Sequence, residues 1–292
     1  MEYMDKIVDF KCTYDNSVGI NKEITKNLNL SFPNAYKHYD TMALISKELR
    51  KHDNSAFCEL PFCHTVEGEA MGGIINYGDE KIGPRSKEYI CKSAEDVLNL
   101  RSIDFTKGRI SEVLKACREL KNQGENIVLE ISGPFTILNV LMDATHVFKI
   151  FRKEKEKMQQ IFDKFQIEIL KFIEEGQRAG ANLISFADSS GGVNILGPKM
   201  MRESVEMFTY PFLKKAEKLI NNNSILLLCP KTTFALLGIN KASLYDIELL
   251  KPMRYGEGCI EVIGKTKIVG QMCIKNINYE LTEGNIKGIK LI

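Results

Sequence analysis

Three segments constrain the fold most: "NIVLEISGP" (126–134), "ANLISFADSSGG" (181–192) and "SILLLC" (224–229). Each is a short run that is apolar throughout rather than alternating, and each stops at Gly, Pro or Asp. A strand can be apolar on both faces only where both faces are covered, which is the situation of a parallel sheet enclosed by helices. Helical patterns fill the intervals. "SAEDVLNL" (93–100) opens with Ser93 and an acidic first turn, and "ISEVLKACRELKNQG" (110–124) has apolar residues at helical spacing and ends on Gly124. "EKEKMQQIFDKFQIEILKFIEEGQRAG" (154–180) and "PKMMRESVEMFTYPFLKKAEKLINNN" (198–223) are long helical stretches, the second broken or restarted at Pro211.

The same alternation continues in shorter units. "SAFCELP" (55–61) reads as a strand, "TVEGEAMGG" as a helix and "INYGDEKIGPR" (75–85) as a hairpin or loop. After the third run come helix "TTFALL", strand "LYDIELL", helix "RYGEGCIEVIG" and strand "KIVGQMC". "NIKGIKLI" is available for a final strand and "KIVDFKC" (6–12) for a seventh. No GxGxxG or GxxxxGK[ST] stands at a strand-to-helix turn, so dinucleotide and P-loop folds lose their main support. The expected architecture is one α/β domain over residues 1–292, a (β/α)8 TIM-type barrel with an N-terminal extension of about 1–54, irregular or truncated near its C-terminus.

Composition excludes several classes. A net charge of +2 demands neither nucleic acid nor an anionic membrane as partner. No apolar run approaches the ~20 residues that span a bilayer. "MEYMDKIVDFKC" is too polar for a signal peptide, and eight scattered cysteines without CxxC suit free thiols in a reducing, cytoplasmic setting.

Barrels of this kind place their chemistry at the C-terminal ends of the strands. Those ends carry Cys63, His64, Glu67 and Glu69; Glu130; Asp188 and Ser189; Cys229; and Cys273. Each also has a plain structural reading. A buried cysteine is a small core residue, an aspartate caps a turn, and a glutamate on a helix faces water. Their convergence on one rim argues for a site.

"ELPFCHTVEGEAMGG", "ISGPFTILNVLMD", "AGANLISFADSSGG" and "LLLCPKTT", in this order over about residues 55–275, resemble the uroporphyrinogen decarboxylase superfamily, most closely its methylcobamide:coenzyme M methyltransferase branch. The resemblance implies a (β/α)8 barrel that transfers a methyl group between a corrinoid (cobalamin), free or on a corrinoid protein, and a small-molecule thiol. Glu67 and Asp188 are then the catalytic candidates, with Cys63, His64 and Ser189 binding substrate. Glu67 is the residue expected to face the cavity, and Glu69 the structural one. The branch holds zinc through a His-x-Cys and a later Cys, which implies Cys229 and Cys273 as metal ligands. Leu227 stands at the histidine position. Three readings follow: His64 supplies the missing ligand, the site is metal-free and binds without turnover, or it does different chemistry. The decarboxylating branch is a rival, but its arginine-rich N-terminal clamp has no counterpart, since the first 45 residues contain no arginine. Its catalytic aspartate falls on Cys63 and its tyrosine near Val140.

Overall fold

The computed structural model describes residues 19–26 and 28–292; the candidate strand at 6–12 lies outside the described residues. Seven strands form the main sheet: β1 (Cys58–Leu60), β2 (Ile127–Ser132), β3 (Leu183–Ala187), β4 (Ile225–Leu228), β5 (Ala242–Glu248), β6 (Ile268–Val269) and β7 (Asn285–Leu291), in the order β1-β2-β3-β4-β6-β7-β5. From β1 to β4 each strand lies beside and parallel to the one before it, and β6 then pairs in parallel with β4. Parallel strands need crossover connections, and helices supply them: Gly108–Asn122 before β2, Lys155–Arg178 before β3 and Tyr210–Leu219 before β4. Winding that always steps in one direction is that of a (β/α)8-type barrel, not of a doubly wound sheet.

The two faces of the central strands explain their composition. All six residues of β2 are buried. Ile127, Leu129 and Ile131 pack outward with Phe162, Phe165, Ile169 and Phe172 of the long helix, whose buried positions recur every three or four residues. That helix comes so close that a Cβ on Gly176 would lie 2.3 Å from Leu129 Cδ2. Val128 points the other way, into an inner cluster with Phe57, Leu183, Ile225, Leu227 and Val269. Glu130, two residues after Val128, therefore shares that inner face.

Pro211 behaves as its chemistry requires. It stands in the first turn of Tyr210–Leu219, directly after a π-helical stretch at Val205–Thr209. Proline cannot donate to the carbonyl four residues back, and Gln159 Nε2 donates to that Met207 oxygen instead, at 3.3 Å.

The expected irregularity lies after β4. The strand read from "LYDIELL" does not follow β4 in the sheet; β6 takes that place. β5 instead forms the far edge, antiparallel to β7, and its side chains from Ser243 to Asp246 are exposed. Helix Tyr255–Glu261 turns inward: Tyr255, Cys259 and Val262 join the inner cluster. A Cβ on Gly256 would meet the Phe57 ring at 2.6 Å, so only glycine lets this helix lie against the chain entering β1. Among the described residues β1 pairs only with β2 and β5 only with β7.

Candidate functional site

The inner face at the C-terminal ends of the strands carries a buried ionic cluster. Lys275, in the loop after β6, places Nζ 2.9 Å from Glu59 Oε1 and 3.2 Å from Glu130 Oε2. Glu59 belongs to β1 and Glu130 to β2. His64 follows β1 through Pro61, and its Nε2 lies 3.9 Å from the same Glu130 oxygen. The Glu130 side chain is only 3% exposed. Glu130 Oε2 is held by the Lys275 ammonium, whereas His64 Nδ1 is a buried atom without a hydrogen-bond partner, an unusual state for an interior polar atom. Beside β1, where the sheet has its edge, a cavity of about 400 Å3 is lined by Glu59, Lys275, Arg50, Ser46 and Asn278.

The electrostatics follow from burial around one cation. Burial, and next the Lys275 charge, lowers His64 to about 4, so its imidazole is neutral at physiological pH. Burial raises both Glu59 and Glu130, with Lys275 opposing. For Lys275 itself burial acts downward, but Glu130 and Glu59 more than offset it and the ammonium stands above the usual lysine range. Cys273 is pushed up to about 12 by burial, with the Lys275 backbone N–H opposing, and Cys229 lies within electrostatic reach of it. Cys229 directly follows β4, its N–H donating to the Phe186 carbonyl at 3.0 Å, and it caps helix Pro230–Gly238.

The other candidates have separate places. The Glu67 carboxylate is buried and accepts the Ser132 backbone N–H at 2.7 Å and the Ser132 hydroxyl at 3.1 Å, which ties helix Val66–Ala70 to the end of β2. Burial raises Glu67, against those hydrogen bonds. Glu69 takes Arg109 Nε at 2.6 Å and the Tyr77 hydroxyl at 2.5 Å, and it borders a second cavity of about 320 Å3 lined also by Arg101, Lys107 and Arg109. Arg109 also donates to Cys63 Sγ at 3.0 Å and to the Thr65 hydroxyl at 2.6 Å. Cys63 thus lies in the helix-side core rather than on the inner face.

Asp188 and Cys229 end adjacent parallel strands on the same rim. The Asp188 carboxylate reaches across to helix Pro134–Leu141, accepting the backbone N–H groups of Thr136 at 2.8 Å and Phe135 at 3.3 Å and the Thr136 hydroxyl at 2.9 Å. It serves as that helix's N-terminal acceptor from another segment. Burial raises it to about 6, opposed by those bonds. Ser189 Oγ lies 3.4 Å from the Thr136 hydroxyl. Gly133 is required here, because a Cβ would fall 2.4 Å from Asp188 Cβ.

The structure therefore sets His64 beside Glu130 and Cys273 within electrostatic reach of Cys229 and Glu130, and adds Glu59 and Lys275; Cys63, Glu67, Asp188 and Ser189 are held in neighbouring hydrogen-bond networks. Lys275 and Arg109 were missed as site residues. Lys275 had one signal, its place two residues after Cys273. Among the described residues no three His, Cys, Asp or Glu side chains converge on a point that could hold a metal ion, so the donor set does not fit zinc. Nor is any helix among them long and apolar enough to cross a membrane.

Known proteins extend this picture. The chain is 24% identical over 212 residues to the methylcobamide:CoM methyltransferase MtaA of Methanosarcina barkeri, covering 72% of this chain and 61% of that protein. It is 24% identical over 226 residues to the methylcobamide:CoM methyltransferase MtbA of Methanosarcina acetivorans, covering 75% and 65%. The chain thus spans less than two thirds of the length of these relatives. A solved methyltransferase from Methanosarcina mazei superposes with a TM-score of 0.65 at 21% identity, over 81% of this chain and 70% of that one, and shares its fold. Residues 20–257 match the family model for uroporphyrinogen decarboxylase (URO-D), and the chain belongs to that family.

Proposed function

We propose that this protein transfers a methyl group between a corrinoid, free or carried on a protein, and a small thiol. The observation that carries the reading is the inner cluster itself. His64 offers a buried, unpartnered Nδ1 beside the Glu130–Lys275 ion pair, and the Cys273 thiol lies within electrostatic reach of that pair and of Cys229. The similarity to methylcobamide:CoM methyltransferases supplies the reaction class.

The chemistry asked of the site is modest. The acceptor thiol gives up its proton, and its sulfur attacks the methyl carbon. A C–S bond forms as the Co–C bond breaks, and both electrons of that bond stay with cobalt. Neutral His64 and the Glu130 carboxylate are the bases available to a thiol docked beside them. Lys275 offsets the negative charge that develops on sulfur.

The test mixes the protein with methylcobalamin and a panel of small thiols and follows the cobalamin spectrum. Thiol-dependent loss of the methyl–cobalt absorbance, abolished in Glu130→Gln, is expected. A corrinoid that binds and keeps its methyl group with every thiol would leave a binding protein instead.

A further inference from the structure

We infer that the acceptor thiol is a zwitterion, an α-amino-acid thiol, bound in the cavity beside β1. The inference rests on the thiol-methylation reading and names the class of thiol.

The cavity adjoins the ionic cluster. Its volume of about 400 Å3 lies within the ~300–1,000 Å3 of small-molecule pockets. Glu59 and Lys275 line it, with about a quarter and a fifth of their side-chain surface exposed. The same Lys275 ammonium holds Glu130, and Glu130 adjoins His64. A short ligand lying against Lys275 therefore ends one side chain away from Glu130. Leu49 and Phe57 supply apolar wall for a methylene chain.

Charge selects the ligand. The wall carries two cations, Arg50 and Lys275, and two carboxylates, Asp53 and Glu59. One step further out Glu125 and Glu130 are acidic and Lys47 is basic. The surroundings thus hold no surplus of positive charge for an anion. A thiol with only a carboxylate or sulfonate meets Asp53 and Glu59 uncompensated, and one with only an ammonium meets Arg50 and Lys275. A ligand with both groups can answer both kinds of residue. Glu125 Oε2 lies 3.0 Å from Arg50 Nε, and among the described residues no hydrogen bond engages the Arg50 Nη groups, whose fork suits a carboxylate. Asp53 has His52 Nδ1 at 2.7 Å and stays more than a third exposed. It ends helix Tyr39–His52, and the partial negative charge of that helix C-terminus adds to the pull on an ammonium.

Binding is measured by isothermal titration calorimetry on reduced, corrinoid-free protein at neutral pH, so no turnover is needed. The probes are L-cysteine, L-homocysteine, cysteamine, mercaptopropionate and mercaptoethanesulfonate. L-Cysteine or L-homocysteine should bind at least about tenfold more tightly than the singly charged thiols, each of which forfeits a charge-assisted contact. Glu59→Gln should weaken that amino-acid thiol and cysteamine at least about fivefold without weakening mercaptopropionate. Arg50→Gln should weaken the amino-acid thiol and mercaptopropionate without weakening cysteamine. If Arg50→Gln loses its native near-ultraviolet dichroism, Arg50→Lys replaces it, since it keeps a charge for Glu125 but lacks the fork. A singly charged thiol that binds as tightly as the amino-acid thiols would overturn the inference. So would no binding of either amino-acid thiol, or two folded variants that bind every probe as wild type does. Methyl transfer to mercaptoethanesulfonate but to neither amino-acid thiol would refute the inference and leave the activity standing. Amino-acid thiols bound in the expected pattern, with methylcobalamin left intact, would uphold the ligand class and count only against the activity.

Discussion

Glu130 Oε2 lies 3.2 Å from Lys275 Nζ although the two residues are 145 positions apart in the chain and sit on different strand ends. The pair closes the inner face of the barrel against a charge it could not bury alone. Removing one partner of a buried pair leaves the other unpaired, which typically costs ~3–5 kcal/mol. Lys275 keeps about a fifth of its side-chain surface exposed, so Lys275→Met should sit at the low end, ~3 kcal/mol. Glu130→Gln should cost less, because the amide keeps an acceptor and Lys275 keeps Glu59. Urea unfolding of the two variants checks the order; equal losses would contradict it.

His64 predicts how stability responds to acid. Its folded value, about 4, is depressed from the ordinary 6.5. A group that charges more readily in the unfolded chain stabilises the fold above the unfolded value. That contribution is lost as pH falls from 6.5 through 4. His64→Gln should therefore flatten the stability curve between pH 6.5 and 4. A variant curve parallel to wild type in that window would show that His64 is not held neutral.

Asp188 acts with the opposite sign. Its folded value is raised to about 6 from 3.8. The native state then holds the proton more tightly, and stability drops as pH rises from 3.8 through 6. Asp188→Asn should remove that drop while keeping one acceptor for the Thr136 N–H. Asp188→Ala should cost ~1–2 kcal/mol below pH 3.8, by leaving the helix N-terminus uncapped, and less above pH 6. Gly133→Ala, which forces a methyl onto Asp188, should cost ~1–3 kcal/mol. A Gly133→Ala protein as stable as wild type would mean that Asp188 can move away.

Glu67 and Glu69 are distinguished by their partners. Glu69 balances the buried Arg109 guanidinium, so Glu69→Gln should cost ~3 kcal/mol. Glu67→Gln keeps an acceptor for the Ser132 N–H and should cost ~1–2 kcal/mol. Calorimetric melting of the two proteins measures this, and a larger loss for Glu67→Gln would reverse the assignment.

Much of the barrel was legible because local signals and tertiary role agree in it. β2, β3 and β4 are buried on both faces, and Gly or Pro marks where two of them stop. Ser93 does start a helix, as expected, and there it builds a capping box with Asp96. The departures arise where the signal is tertiary. "LYDIELL" has strand chemistry, but its neighbours are chosen by the far-removed β7. Its exposed Asp246 and Glu248 were the hint of an edge. Lys275 looks like an ordinary loop lysine, and Arg109 like any residue opening a helix, until the carboxylates they meet are known. Asp188 was found by its place at a strand end, while its partner Thr136, 52 residues earlier, left no trace in the pattern.

In the proposed reaction a thiol is methylated at the Lys275–Glu130–His64 cluster. The most direct measurement is mass-spectrometric detection of the methyl thioether after incubating the protein with isotopically labelled methylcobalamin and a small thiol. Wild type should form labelled thioether faster than buffer, and Glu130→Gln should fall about a hundredfold, as expected for loss of a general base. Thioether formation no faster than in buffer, or a Glu130→Gln protein as active as wild type, would contradict it.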